Sequence, residues 1–167
     1  MNHQVGEFVA YKKHGVYQIA DIKREKICGV LENYFVLRSV YDKNSTVYVP
    51  ASREDLVAQM EHILTKEEID NIISSSADAE IEWVSVTAER ASFFEEIIHS
   101  EDLVRIISMM RLLSAKKEEA VRTKAKTFAH DERMLNAAQR TVAEAFAFSL
   151  GIDKKDVTDY INQKLSD

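Results

Sequence analysis

Hydrophobic and polar positions change period near Pro50. Before it, apolar residues come in short runs broken by turn formers. "FVAY" (8–11) stops at "KKHG". "VYQIADI" (16–22) then alternates, with Val16, Gln18, Ala20 and Ile22 on one side and Tyr17, Ile19 and Asp21 on the other. Period-two alternation marks a strand with one buried face. These runs predict a β-hairpin whose turn is shaped by His14 and Gly15. "LENYFVLRSVY" alternates too, with Tyr34, Val36, Arg38 and Val40 opposite Phe35 and Leu37. "YDKNST" reads as a turn and "VYVP" as a short strand that Pro50 ends. Strands are predicted at about 7–11, 16–24, 30–40 and 45–49.

After Pro50 the period becomes helical. Thr65-Lys66-Glu67-Glu68 is a capping box ahead of Ile69, Ile72 and Ile73. "SSSADAE" (74–80) reads as a loop. Leu103, Ile106, Ile107, Met110 and Leu113 share a helical face behind Ser100 as cap. A long helix is expected from Asp131 to Leu150, with Gly151 as its C-terminal cap. Asp153 and Asp156 open a last helix with the stripe Val157, Tyr160, Ile161 and Leu165. The fold class is α+β. A small SH3- or Tudor-like β-barrel over 1–52 precedes an all-α domain over 53–167.

Composition narrows the function. The 167 residues are 46% hydrophobic and 30% charged, which suits folded domains with a solvated surface. No apolar run nears the ~20 residues of a membrane helix. The opening "MNHQVGEF" lacks a secretory layout, so a cytoplasmic place without membrane contact is expected. Cys28 is the sole cysteine, which excludes an internal disulfide and a multi-cysteine zinc site. The five histidines never fall at metal-ligand spacing, four scattered glycines make no phosphate loop, and Ser74–Ser76 lie in no nucleophile motif. No cofactor, no metal and no catalysis is expected.

Charge is uneven along the chain. Net charge is +2 over 1–50, −11 over 51–104, +5 over 105–140 and −2 over 141–167. The basic block "AKKEEAVRTKAKTFAHDER" carries Lys116, Lys117, Arg122, Lys124, Lys126 and Arg133. It is either an ordinary charged helix surface or a surface that tracks phosphates. Trp83, the only tryptophan, is either a loop anchor or an exposed ring for stacking or wedging.

These stretches together resemble a known family. Gly6, Glu7, Val9, Tyr11, His14, Gly15 and Val16 fit the opening pattern of the CarD-like (CdnL) bacterial transcription regulators. "ENYFVL", "STVYVP", Trp83, Arg90 and the late "RMLNAAQRTVAEAFAFSLGI" extend the resemblance along the chain. Lys12 stands where members often have proline, and Tyr48 lies in the strand where some carry arginine.

The resemblance implies a Tudor-like module, similar to one in transcription-repair coupling factor, that binds the RNA polymerase β subunit. It implies a helical domain on promoter DNA at the upstream edge of the bubble, with the tryptophan wedged in the minor groove. Polymerase contacts are expected at Val47, Tyr48, Val49, Arg24 and Arg38. DNA contacts are expected at Trp83, Arg90, Lys124, Lys126 and Arg133. The protein is expected to act as a monomer without catalysis, stabilising open promoter complexes. The alternative is a protein–protein adaptor with no direct DNA contact.

Overall fold

The structure is a computed structural model that describes residues 3–12 and 15–166. The turn role expected of His14 lies outside those residues. The chain divides into two compact units, Met1–Leu64 and Thr65–Asp167.

The first unit is a five-stranded antiparallel sheet. Its strands are β1 (Phe8–Tyr11), β2 (Gly15–Ile27), β3 (Val30–Ser39), β4 (Thr46–Pro50) and β5 (Glu61–His62), with a short helix α1 (Glu54–Val57) before β5. Their order is β4-β3-β2-β1-β5. No pairing joins β4 to β5 among the described residues, so the sheet is open rather than a closed barrel. Val9, Tyr11, Ile19, Leu37, Val49 and Met60 form its core, with Leu56 and Val57 packed against it.

That core explains why the unit runs past the 52/53 junction read from the sequence. Met60 is 1% exposed, and β5 supplies the neighbour of β1.

β2 and β3 meet in a two-residue turn at Cys28-Gly29. Their φ values of 51° and 87° are the double left-handed geometry that matches strand twist. One expectation about β2 fails. Ile19 and Asp21 do not share a face, because a bulge between them shifts the register from Ile19–Leu37 to Asp21–Val36. The extra residue sends Asp21 to the side of Val36, while Ile19 stays in the core.

The second unit packs α2 (Lys66–Asp78), α3 (Thr87–His99), α4 (Leu103–Thr123), α5 (Ala129–Leu150) and α6 (Val157–Lys164), the last entered through a 3-10 turn at Lys154–Asp156. Thr65 and Glu68 close the capping box as read. Helix α2 also takes in Ser74–Asp78, expected from the sequence as part of a loop. Ser76 is buried, and its carbonyl accepts from Ser108 Oγ at 3.1 Å and Arg111 Nη1 at 2.8 Å, both on α4. These bonds satisfy a carbonyl near the helix end that would otherwise be orphaned.

Asp102, not Ser100, caps α4 by accepting from Arg105 N at 3.2 Å. Helix α5 starts at Ala129, so Asp131 sits in its first turn. Gly151 ends it at φ 65°, as expected. The stripe Leu103, Ile106, Ile107, Met110 and Leu113 is buried, against a core that includes Phe94, Ile97, Val142 and Phe146. Full burial of such a side chain is worth ~1.5–3 kcal/mol.

Helix α6 is tied to α2 through Asp70. Tyr160 Oη donates to Asp70 Oδ1 at 2.6 Å, and Lys164 Nζ lies 3.2 Å from Oδ2. The bond from Tyr160, then Lys164, holds the Asp70 carboxyl below its usual range. Burial, and then the bond to Asp70, pushes the Tyr160 phenol up to about 12. The depressed carboxylate adds stability above its unfolded pKa, lost as pH falls through the folded one. The raised phenol adds stability that is full below its unfolded pKa of 10.0 and lost as pH rises toward about 12. Tyr160→Phe should therefore cost most near neutrality, ~1 kcal/mol. Melting profiles of both proteins from acid to pH 12 should converge at the two ends; a constant gap across that range would contradict this coupling.

Candidate nucleic-acid and partner interfaces

Two surfaces carry the residues singled out in the sequence, one on each unit. On the sheet unit, β4 is an edge strand. Its register with β3 pairs Val49 with Phe35, Tyr48 with Val36 and Val47 with Leu37. Just beyond the strand, Ala51 N donates to Asn33 O at 2.8 Å, and at the other end Ser39 N donates to Ser45 O at 3.1 Å. Bonded pairs alternate in an antiparallel ladder. Val47 and Val49 therefore bond inward to β3, while the backbone groups of Thr46 and Tyr48 point out of the edge. Pro50 falls on the outward set, where its missing N–H costs the ladder nothing.

The side chains divide in the same way. Val49 is 1% exposed and belongs to the core, and Val47 packs against that core. Tyr48 is exposed on the opposite face, with Lys23 Nζ 5.3 Å from its ring and Tyr34 set edge-on at 6.4 Å. Arg24 and Arg38 are exposed. Arg38 lies opposite Thr46 on β4, and Arg24 lines a small cleft with Leu31, Glu32, Asn33, Ala51 and Ser52. Of the residues expected to meet a partner, Tyr48, Arg24 and Arg38 offer side chains. Val47 and Val49 build the strand that presents Tyr48.

On the helical unit, Trp83 stands in the irregular segment between α2 and α3 and is half-buried. It is neither a core residue nor a free ring. Arg90, on the first turns of α3, lies under it with Cζ 4.4 Å from the ring centroid, and Phe94 packs at 6.3 Å. Lys116 Nζ of α4 sits 5.3 Å from the same ring. These are cation–π distances.

The rest of the indole lines a groove of about 420 Å³ between the end of α4, residues 124–128 and the start of α5. Its walls include Leu113, Ala120, Val121, Phe128 and Leu135. Val121 is 72% and Phe128 41% exposed, so the groove is an open apolar surface.

Arg90 is not placed for the DNA contact that the resemblance implied. It is 1% exposed. Nε and Nη2 bind the two carboxylate oxygens of Asp131 at 3.1 and 3.0 Å, and Nη1 donates to Val84 O at 2.9 Å and Ser85 O at 3.3 Å. Four of its five N–H groups are thus engaged, and its Cζ lies 4.4 Å from the Trp83 ring centroid and 5.2 Å from that of Phe128. No donor fork is left for a phosphate.

The other basic candidates remain accessible. Lys126 lines the groove, with Nζ 6.0 Å from the Phe128 ring. Lys124 caps α4 in the left-handed region at φ 55°, next to the groove, and Arg133 is exposed on α5. Arg122, Lys124, Lys126 and Arg133 make no salt bridge among the described residues. By contrast, Lys116 pairs with Glu119 at 3.0 Å and Lys117 with Glu132 at 2.8 Å, and each lysine draws its partner's carboxyl below the usual range. Of the charged residues lining the groove, Lys126 is therefore the one without a salt bridge among the described residues, with Lys124 beside it, while Glu118 and Arg122 line the adjoining cleft.

Phe128, Val121 and Asp131 were not picked from the sequence as site residues. Phe128 and Val121 had a signal, since both are large apolar residues inside a charged run. Asp131 had only its place at a helix start, and its pairing with Arg90 spans 41 residues.

Among the described residues no group of three or more His, Cys, Asp or Glu could hold a metal ion, and no helix is long and apolar enough to cross a membrane. No curated protein matches the chain. The model of one family, CarD-like/TRCF RID domain, matches residues 3–63. The match covers the sheet unit, with its open β4 edge, and stops where the helical unit begins. Residues 3–63, and thus the sheet unit, are similar to the CarD-like/TRCF RID domain.

Proposed function

We propose that this chain is a non-catalytic transcription regulator that docks on the RNA polymerase β subunit and stabilises the open promoter complex. The family match of the sheet unit carries the polymerase part of this reading. In it the sheet is a Tudor-like docking module. The edge of β4 pairs with a strand of the partner, a mode in which backbone bonds give affinity and flanking side chains give selectivity. Tyr48, Arg24 and Arg38 are those flanking side chains. The chain acts as a monomer.

The DNA part rests on the Trp83 groove. A half-buried aromatic ring beside unpaired lysines suits a distorted base step. The ring occupies the gap between bases and the lysines meet the backbone. The helical unit has fourteen Lys/Arg against twenty Asp/Glu, a net charge of −6. Alone it should hold DNA poorly. Docking on polymerase supplies an effective concentration of order millimolar and makes weak contacts sufficient. Lys124, Lys126 and Arg133 are the phosphate contacts in this reading.

The test is a salt titration of open-complex lifetime. With Lys124 and Lys126 both changed to Ala, the slope of log lifetime against log salt should flatten by ~0.9 per lost contact. An unchanged slope would make these lysines a solvated helix surface and favour the adaptor reading.

A further inference from the structure

We infer that Arg90 and Asp131 are positioning residues that fix the Trp83 ring for its work at the fork; this rests on the DNA part of the function proposed above. Trp83 lies in a segment without regular structure, where a side chain would ordinarily turn freely. One buried guanidinium removes that freedom in two ways. It donates to the carbonyls of Val84 and Ser85, the two residues after the tryptophan, and its Cζ sits 4.4 Å from the indole centroid, at cation–π distance. Asp131, 16% exposed on the first turn of α5, grips the same guanidinium with both oxygens. The Phe128 ring centroid lies 5.2 Å from the same Cζ.

The chain of support therefore runs from α5 through Asp131 and Arg90 to the ring. A wedge must resist rotation when base pairs close on it. An arginine held at cation–π distance and anchored bidentately supplies that resistance, because its planar fork keeps its orientation when bound by both carboxylate oxygens.

The first variant is Asp131→Asn, which keeps one acceptor but loses the charge and the symmetric fork. Trp83 is the sole tryptophan, so its emission reports this site alone. Quenching by acrylamide, which is neutral, should rise. The open-complex lifetime should fall toward the value given by Trp83→Ala, with polymerase binding unchanged. In a Trp83→Ala background, Asp131→Asn should change the lifetime no further, since a positioning residue has nothing left to position.

If Asp131→Asn fails to fold, Arg90→Met with Asp131→Leu takes its place. Apolar replacement of a buried ion pair commonly preserves folding, yet it removes both the cation–π contact and the clamp. A folded variant with wild-type quenching and wild-type lifetime overturns the proposal. So does a lifetime loss that persists undiminished in the Trp83→Ala background, because it would report general packing. Quenching alone decides whether the pair orients the ring. The effect of Trp83→Ala on lifetime alone decides whether the ring acts at the fork, so the two claims fail separately.

Discussion

Asp131→Ala should destabilise the helical unit by about 3 kcal/mol, the lower end of the ~3–5 kcal/mol for breaking a buried ion pair from one side. The reason lies with the partner. Arg90 is 1% exposed, and without Asp131 its charge faces two aromatic rings and two carbonyls with no counter-ion. The lower end applies because Asp131 is 16% exposed and water can reach the vacated place. Urea unfolding followed by far-ultraviolet dichroism measures the loss. A loss below ~1 kcal/mol would place this pair with ordinary surface salt bridges. Arg90→Met with Asp131→Leu should recover most of the loss, since it removes both charges together.

The second large effect separates folding from docking on β4. Val49→Pro should cost the sheet unit about 3 kcal/mol: it deletes an inward N–H, strands an acceptor on β3 and disturbs a core position. Val49 is 1% exposed and pairs with Phe35. Tyr48→Pro should leave the ladder intact, because the Tyr48 N–H points outward. It should weaken polymerase binding about tenfold, the worth of one hydrogen bond of ~1.4 kcal/mol. Tyr48→Ala keeps the N–H and serves as the control for the ring. If Tyr48→Pro and Tyr48→Ala bind equally well, the edge does not pair with the partner.

Strands and long helices were legible in the sequence where period and cap agreed. β3 alternates as read, and the α4 stripe is buried as read. Failures came where a local rule met a tertiary demand. The bulge after Ile19 has no composition signal, because it is fixed by the cross-strand register with Leu37 and Val36. Helix α3 went unpredicted, since Val86 offers no side-chain cap and Phe93 and Ile98 blur the face that buries Phe94 and Ile97. Ser74–Ser76 look like a loop until Ser108 and Arg111, more than thirty residues on, take the carbonyl of Ser76.

The candidate site divided in the same way. Trp83 and Lys126 were found as residue types, and the groove they share could not be seen. Arg90 was given a phosphate on the family resemblance, which carries no information about what its guanidinium meets in this fold. Its partner lies 41 residues away on α5, beyond the reach of spacing rules. Val47, Tyr48 and Val49 were read together as partner-facing residues of β4. The register assigns the N–H groups of Val47 and Val49 to the sheet and leaves Tyr48 to face outward.

Trp83 is half-buried, so Trp83→Ala should cost roughly 2 kcal/mol, about half of what a core aromatic costs, and leave a folded protein with unaltered polymerase binding. That makes it the cleanest probe of the account. The measurement is the dissociation half-life of RNA polymerase–promoter open complexes under competitor, with saturating wild-type protein, with saturating Trp83→Ala, and with neither. The wild-type chain should lengthen the half-life, and Trp83→Ala, bound to the same extent, should return it toward the value without protein. A wild-type chain that binds polymerase yet leaves the half-life unchanged, or a Trp83→Ala chain that lengthens it equally, would contradict the account.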